Sequence, residues 1–246
     1  MWQTSKIALI LGRTGRWLQL QPRRLRMLSD LLIGRRPGGA SAPRFFHVYW
    51  WVEIWMLFAD FLGIFLLYDN LAGLVKWKGR PLSKEEIDLA RTIFGDRLPY
   101  RLIRLDEAAY FGPRRHHFAY VSFYTVNSWK PLRPDVLMHE LVHIHQYEQL
   151  GAAYIPRALR AQRSNPAYNY GGIANLRDLL ARGGSLSDLN LEQQADLVMD
   201  YVRLSQGLPV QWGMAGLQDL KVYERFLAEL RNGGGTGICE RNPCRE

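Results

Sequence analysis

No cysteine precedes residue 239 in this 246-residue chain, and the only two, Cys239 and Cys244, lie in the last eight residues beyond the glycine run Gly233 to Gly235. A fold held together by disulfides is therefore excluded, and the spacing is not that of a zinc knuckle. The two cysteines have either no structural role or that of closing a small terminal loop. Acidic residues are scarce at the other end: up to Arg44 there are nine basic residues and one acid, Asp30. Of the formal net charge of +9, this segment carries +8, and the remaining 202 residues sum to +1. With no basic surplus to track phosphates, the body of the chain is not expected to bind nucleic acid. The early apolar run Ile7 to Leu11 is too short for the core of a cleavable signal peptide. There is no internal repeat.

What is present divides the chain into four. Residues 1–44 are rich in arginine and end in the breaker-laden stretch from Gly34 to Pro43. That composition predicts a basic flexible extension, with at most a short amphipathic helix around Trp17 to Leu32. Residues 45–78 form the most apolar part, and the stretch Val48 to Tyr68 is 21 residues long, enough for a helix to cross a hydrocarbon layer of ~30 Å. Glu53 and Asp60 interrupt it, seven positions apart and so on one helical face, where a partner or the rest of the chain could shield them. A membrane anchor and a long helix packed on the domain both remain open. Residues 79–232 carry the punctuation of a mainly helical α+β domain, and residues 233–246 read as a flexible tail.

Within the domain, Ser83 and Glu86 have the form of a capping box opening a helix to Phe94, closed by Gly95. Tyr100 to Leu105 and the alternating stretch Phe118 to Val126 predict short strands. A helix is expected from Pro134 to Leu150 before Gly151, another from Asn190 to Gln206, and a last from Gly216 to Arg231.

The chemistry concentrates in His139-Glu140-Leu141-Val142-His143, inside the helix predicted from Pro134. Histidines at i and i+4 leave one face of a helix a turn apart, where their ring nitrogens can converge on one metal ion. Glu140, on an adjacent edge, can reach a metal-bound water without being a ligand. A catalytic zinc site usually has three protein ligands and an open position. No histidine follows His145, which is some 200° around the helix from His143, and Glu148 is about 140° off the ligand face. The third ligand should then be a carboxylate from elsewhere. Glu192 is the better choice, because Asp196 follows one turn later and could accept a hydrogen bond from a ligating imidazole. A solvated acidic helix face explains the same spacing and stays open at this point.

HExxH followed by a second helix carrying ExxxD resembles the gluzincin group of metallopeptidases, of which thermolysin is the best-known member. The likeness rests on His139, Glu140, His143, Glu192 and Asp196. More narrowly, Ile93 to Asp96, Met138 to Tyr147 and Asn190 to Tyr201 look like small bacterial domains labelled vgr-related or DUF4157-like, some of them associated with type VI secretion loci. The resemblance covers about residues 83 to 205. It implies a zincin-like fold, Zn²⁺ as cofactor, His139, His143 and Glu192 as ligands, Asp196 behind them, and Glu140 as the base that assists attack of a zinc-bound water on a peptide bond. Tyr168 and Tyr170, in the turn-rich segment between the ligand helices, are candidate donors to the developing oxyanion, although a packed turn tyrosine is the commoner case. The alternative is a zinc-binding accessory or interaction protein, for example a secretion-system component, with little or no catalysis. The expected partners are a peptide or protein substrate and a membrane, and the expected place is the bacterial inner membrane, by a single span or surface attachment, or the cytoplasm.

Overall fold

The computed structural model describes residues 6–33, 48–75, 79–109 and 119–232. Cys239, Cys244 and the glycine-rich tail lie outside the described residues, as does the breaker-laden stretch before Val48. The chain is mainly helical with a small mixed sheet. Helices α1 (Lys6–Leu32), α2 (Val48–Phe61) and α3 (Ile64–Val75) come first, then strand β1 (Arg80–Pro81) and helix α4 (Lys84–Phe94). A 3₁₀ turn (Tyr100–Leu102) leads to β2 (Arg104–Asp106), β3 (Tyr120–Ser122) and β4 (Thr125–Asn127). Helices α5 (Pro134–Leu150), α6 (Tyr154–Arg163), α7 (Gly172–Ala181), α8 (Leu191–Ser205) and α9 (Leu220–Asn232) complete it.

The sheet order is β1-β2-β4-β3, with β2 and β4 parallel and the two outer pairs antiparallel. The stretch expected to be one strand from Tyr100 to Leu105 is instead a 3₁₀ turn followed by β2, the turn tied down by Tyr100 Oη donating to the Gly95 carbonyl at 2.6 Å. Between β3 and β4 the chain reverses through Phe123, which holds a φ of 55°, a region costly for an aromatic residue. Its ring offsets that cost by packing on Phe65 at 4.9 Å and Tyr147 at 5.2 Å.

Helices α5 and α8 lie against each other at the centre of the domain. Leu137, Met138, Leu141 and Ile144 of α5, and Ala195, Leu197, Val198 and Val202 of α8, are buried in one apolar cluster. Each helix begins and ends where its residues dictate. Pro134 occupies the first turn of α5, where its missing N–H costs nothing. Gly151 ends α5 with a φ of 59°, and a Cβ there would stand 2.7 Å from Asp60 Oδ2, so only glycine satisfies both conformation and space. At α8, Asn190 Oδ1 accepts from the N–H groups of Glu192 and Gln193 at 3.0 and 2.9 Å while Gln193 Oε1 accepts from the Asn190 N–H at 3.1 Å. Such a cap stabilises by about 1 kcal/mol and fixes where Glu192 leaves the helix.

The N-terminal segment differs from its composition. Residues expected to be a flexible extension contain the 27-residue helix α1, with Arg13, Arg24, Leu28 and Leu31 buried. The reason is long-range pairing that local composition does not show. Arg13 Nη1 meets Asp69 Oδ2 at 2.9 Å, Arg24 Nε meets Asp60 Oδ2 at 2.5 Å, and Arg16 pairs with Glu148. The apolar segment is likewise not one helix: α2 and α3 are separated at Leu62-Gly63, where Gly63 has a φ of 76°, and the two axes bend by 65°. Among the described residues no single helix is long and apolar enough to cross a membrane, although the bent pair matches such a span in length and composition. Glu53 and Asp60 both turn onto the domain. Glu53 Oε2 accepts from Arg157 at 2.7 Å, and Asp60 accepts from Tyr147 Oη at 3.2 Å and Ala152 N at 2.9 Å besides its ion pair.

Candidate metal centre

Because α5 and α8 pack side by side, the turn carrying His139 and His143 faces the first turn of α8, and Glu192 enters between the two imidazoles. Glu192 Oε2 lies 3.7 Å from His139 Nε2 and 3.6 Å from His143 Nε2, and one ligand atom from each of the three residues falls within 4.8 Å of the others. Tetrahedral coordination with bonds of ~2.0–2.2 Å sets neighbouring ligand atoms roughly 3.4 Å apart, close to the two distances to Glu192. Glu192 is 1% exposed, and its Oε2 accepts no hydrogen bond among the described residues. A buried carboxylate oxygen without a donor is costly in a folded protein, so the atom that would satisfy it is a cation. The His139/His143/Glu192 group can hold a metal ion.

The surroundings fix how each ligand is presented. His143 Nδ1 is 2.8 Å from Gln146 Oε1, and since Gln146 Nε2 donates to the Leu191 carbonyl at 2.9 Å, the amide oxygen is left facing the ring. His143 Nδ1 must then carry a proton, which makes Nε2 the ring nitrogen that a metal ion would bind. His139 Nδ1 lies 2.9 Å from Asp196 Oδ1, within ion-pair reach but off the line of a hydrogen bond, and the negative charge favours the same tautomer. Asp196 is itself held by Trp212 Nε1 at 2.6 Å. Gln162 Nε2 donates to Glu192 Oε1 at 3.0 Å and so sets the carboxylate plane.

Electrostatically the group is poised for a positive charge. Burial disfavours protonation of His143, but the adjacent Glu192 overrides it and raises the pKa to about 9. Burial likewise works against ionisation of Glu192, yet His143 and His139 hold its carboxyl below the usual range. Glu140 behaves oppositely: burial raises its pKa, although the two histidines oppose the shift. No hydrogen bond to a described residue engages its carboxylate, which faces a cavity of about 870 Å³ together with the three ligand side chains.

That cavity is walled by Phe123 from the sheet side, Tyr154 and Leu159 of α6, Met199 of α8, and Tyr168 and Trp212 from the loops. The ring of Tyr168 stacks over His139 at 6.5 Å, and its hydroxyl, pushed up to about 12 chiefly by burial, keeps its proton. Tyr170 is elsewhere. It is buried behind α8, donating to Asp200 Oδ2 at 2.7 Å and sharing a bond with Tyr223 Oη at 2.9 Å, so it cannot serve as a donor in the cavity. Tyr168, two positions earlier, lines the site from inside the turn that Asn169 N closes by donating to the Pro166 carbonyl at 2.9 Å, whereas Tyr170 lies beyond that turn, which a turn-rich sequence does not disclose.

Residues with no signal in the spacing also line the site. Tyr154 stacks on His143 at 6.5 Å and donates to the Val121 carbonyl at 3.2 Å, and Gln162 and Trp212 act as described. His145 points away from the centre but is not on the surface: it is buried against Phe94, and burial depresses its pKa to about 4. Glu148 misses the site and is taken up by Arg16 and Tyr124.

Part of the chain is similar to the type VI secretion system spike protein VgrG2b of Pseudomonas aeruginosa, with 29% identity over 138 residues. The match takes in 50% of this chain and 13% of the spike protein, so the chain spans a small fraction of that relative's length. No family model matches the chain, and no solved structure matches it.

Proposed function

We propose that this chain is a zinc-dependent metallopeptidase with a zincin-like domain, hydrolysing a peptide bond in a protein or peptide substrate. The observation that carries the proposal is the donor-free Oε2 of Glu192 between two imidazole Nε2 atoms, with the uncommitted carboxylate of Glu140 beside them at the wall of one cavity. Two nitrogens and one carboxylate oxygen are a ligand set that suits Zn²⁺ and leaves a coordination position open. Zn²⁺ held there supplies Lewis acidity, acidifying water and polarising the substrate carbonyl.

The residues of the chain do the rest. Glu140, its pKa raised by burial, takes the proton that water gives up as the new C–O bond forms and returns it to the amine nitrogen as the C–N bond breaks. Asp196 and Gln146 hold the two imidazoles in the tautomer that keeps Nε2 free. Tyr168, on the cavity wall with its proton retained, is the phenol we assign as donor to the carbonyl oxygen as it gains charge. An apolar wall of Phe123, Leu159 and Met199 fits an extended chain with apolar side chains.

The similarity to a secretion-system spike protein favours a second reading, in which the chain is a secretion-associated accessory protein whose metal organises a binding surface. Zinc-loaded protein incubated with a mixed peptide library separates the two, with products read by mass spectrometry. The peptidase reading predicts new termini from wild type and about 10²- to 10⁴-fold fewer from Glu140→Gln at equal zinc content. A wild type that is fully loaded and as inert as Glu140→Gln would reject the peptidase and leave the accessory reading.

A further inference from the structure

The layer formed by α1, α2 and α3 is inverted in polarity. Three of its acids and two of its arginines are turned inward beside a small apolar cluster of Leu28, Leu31, Trp50 and Leu57, while many of its large apolar side chains face outward. On α1, Ile7, Leu11, Leu18, Leu25 and Leu32 are all more than half exposed, and spacings of four and seven keep them on one stripe along the helix. On α2 and the first residue after it, Trp51, Trp55, Phe58 and Leu62 are exposed at helical spacing, and on α3 Ile64, Leu67, Leu71 and Leu74 are. The three helices pack on one another, so these faces belong to one layer. The opposite faces carry Arg13, Arg24, Glu53, Asp60 and Asp69, all buried. An apolar surface of this extent marks contact with an apolar phase or a partner.

Charge decides which. The described residues of the layer contain four acids: Glu53, Asp60 and Asp69 are buried on the domain side and Asp30 is half-buried, so no fully exposed carboxylate lies on the outside. Cations are exposed there at Lys6 and Arg26, and the sequence adds Arg35, Arg36, Arg44, Lys76 and Lys78 next to the helices. A second copy of the same face would set cations against cations with no opposing acid. An anionic lipid surface supplies the missing charge, and Tyr49, Trp51, Trp55 and Tyr68 are the exposed aromatics that favour a headgroup boundary.

We propose that the outer face of α1, α2 and α3 lies in the plane of a bilayer containing anionic lipids, with the helices parallel to the surface rather than across it. The 65° break between α2 and α3, the ion pairs Arg13–Asp69 and Arg24–Asp60 that hold α1 to α3 and α2, and the pairs Glu53–Arg157 and Arg16–Glu148 that tie the layer to the domain prevent either helix from being surrounded by lipid. The layer also borders the cavity. Phe65 of α3 stacks on Phe123 of its wall, and Arg157 and Arg160 of α6 reach Glu53 and the ring of Tyr49.

The test is flotation of the full chain with vesicles of phosphatidylcholine alone and of phosphatidylcholine with phosphatidylglycerol. The wild type is expected to float with the anionic vesicles at least tenfold more than with the neutral ones, and to be released by alkaline carbonate. Trp55→Glu with Leu71→Glu should reduce flotation at least tenfold with an unchanged circular dichroism spectrum. Should that pair disturb folding, Arg26→Glu, at an exposed position, should by itself lower flotation severalfold at low salt. Absence of flotation on anionic vesicles would overturn the proposal, as would no effect of Arg26→Glu. Resistance to carbonate, which indicates a span, would also overturn it, and so would a lipid-free dimer that Trp55→Glu with Leu71→Glu converts to monomer.

Discussion

In the helical layer α1 to α3, buried charges are compensated from within the chain: Arg13 by Asp69, Arg24 by Asp60, Glu53 by Arg157. Even where Arg24 leaves its terminal nitrogens without hydrogen bonds, the guanidinium lies over the Tyr147 ring at 5.0 Å. Between α5 and α8 the buried charge is left open, with Glu192 Oε2 facing two ring nitrogens and no donor, and Glu140 uncommitted alongside. Both regions are dense in ionisable groups, so density of charge does not distinguish scaffold from site. What distinguishes them is whether the protein itself completes the interaction. The layer is closed toward the domain and open only through its apolar face, whereas the α5–α8 pair is closed around its apolar seam and open at its ligands.

The comparison yields substitutions whose effects should fall in a definite order. Asp60→Ala strands Arg24 in the interior and removes partners of Tyr147 and Ala152, which should lower stability by about 3–5 kcal/mol in urea unfolding. Asp196→Ala should cost about 1–3 kcal/mol of stability through the Trp212 indole N–H it leaves without its acceptor, and should weaken zinc affinity by roughly 10- to 100-fold in competition with a chelator, because the His139 ring loses its orienting charge. Tyr170→Phe should cost roughly 1.5 kcal/mol of stability through its lost bond to Asp200 and leave zinc binding intact, which would set it apart from Tyr168. Leu18→Gln, on the exposed stripe, should change stability in lipid-free buffer by less than about 0.5 kcal/mol. A loss as large as that of Asp60→Ala would show that the outer face is covered by protein.

Much of the centre was legible because its residues are local. His139 and His143 announce themselves by a four-residue interval, and Asn190 with Gln193 marks the start of the helix that presents Glu192. The capping pairs and glycine stops placed α4, α5 and α8 to within a residue or two. What was not legible depends on contacts far apart in sequence. The arginines of α1 read as a solvated tail because their partners lie 36, 56 and 132 positions away at Asp60, Asp69 and Glu148. Tyr168 and Tyr170 are indistinguishable in a turn-rich segment until the Pro166–Asn169 turn holds the first at the cavity and the second, beyond it, reaches Asp200. Gln162 and Tyr154 sit on an amphipathic helix without any motif, and only packing against α8 and α5 gives them a role.

The central claim is that His139, His143 and Glu192 form one metal centre, and the metal content of chelator-free purified protein tests it most directly. About one zinc ion per chain in the wild type, lost in both His143→Ala and Glu192→Ala and retained in Glu140→Gln, is the predicted result. A folded wild type that takes up no metal, or a Glu192→Ala variant that remains fully occupied, would contradict it.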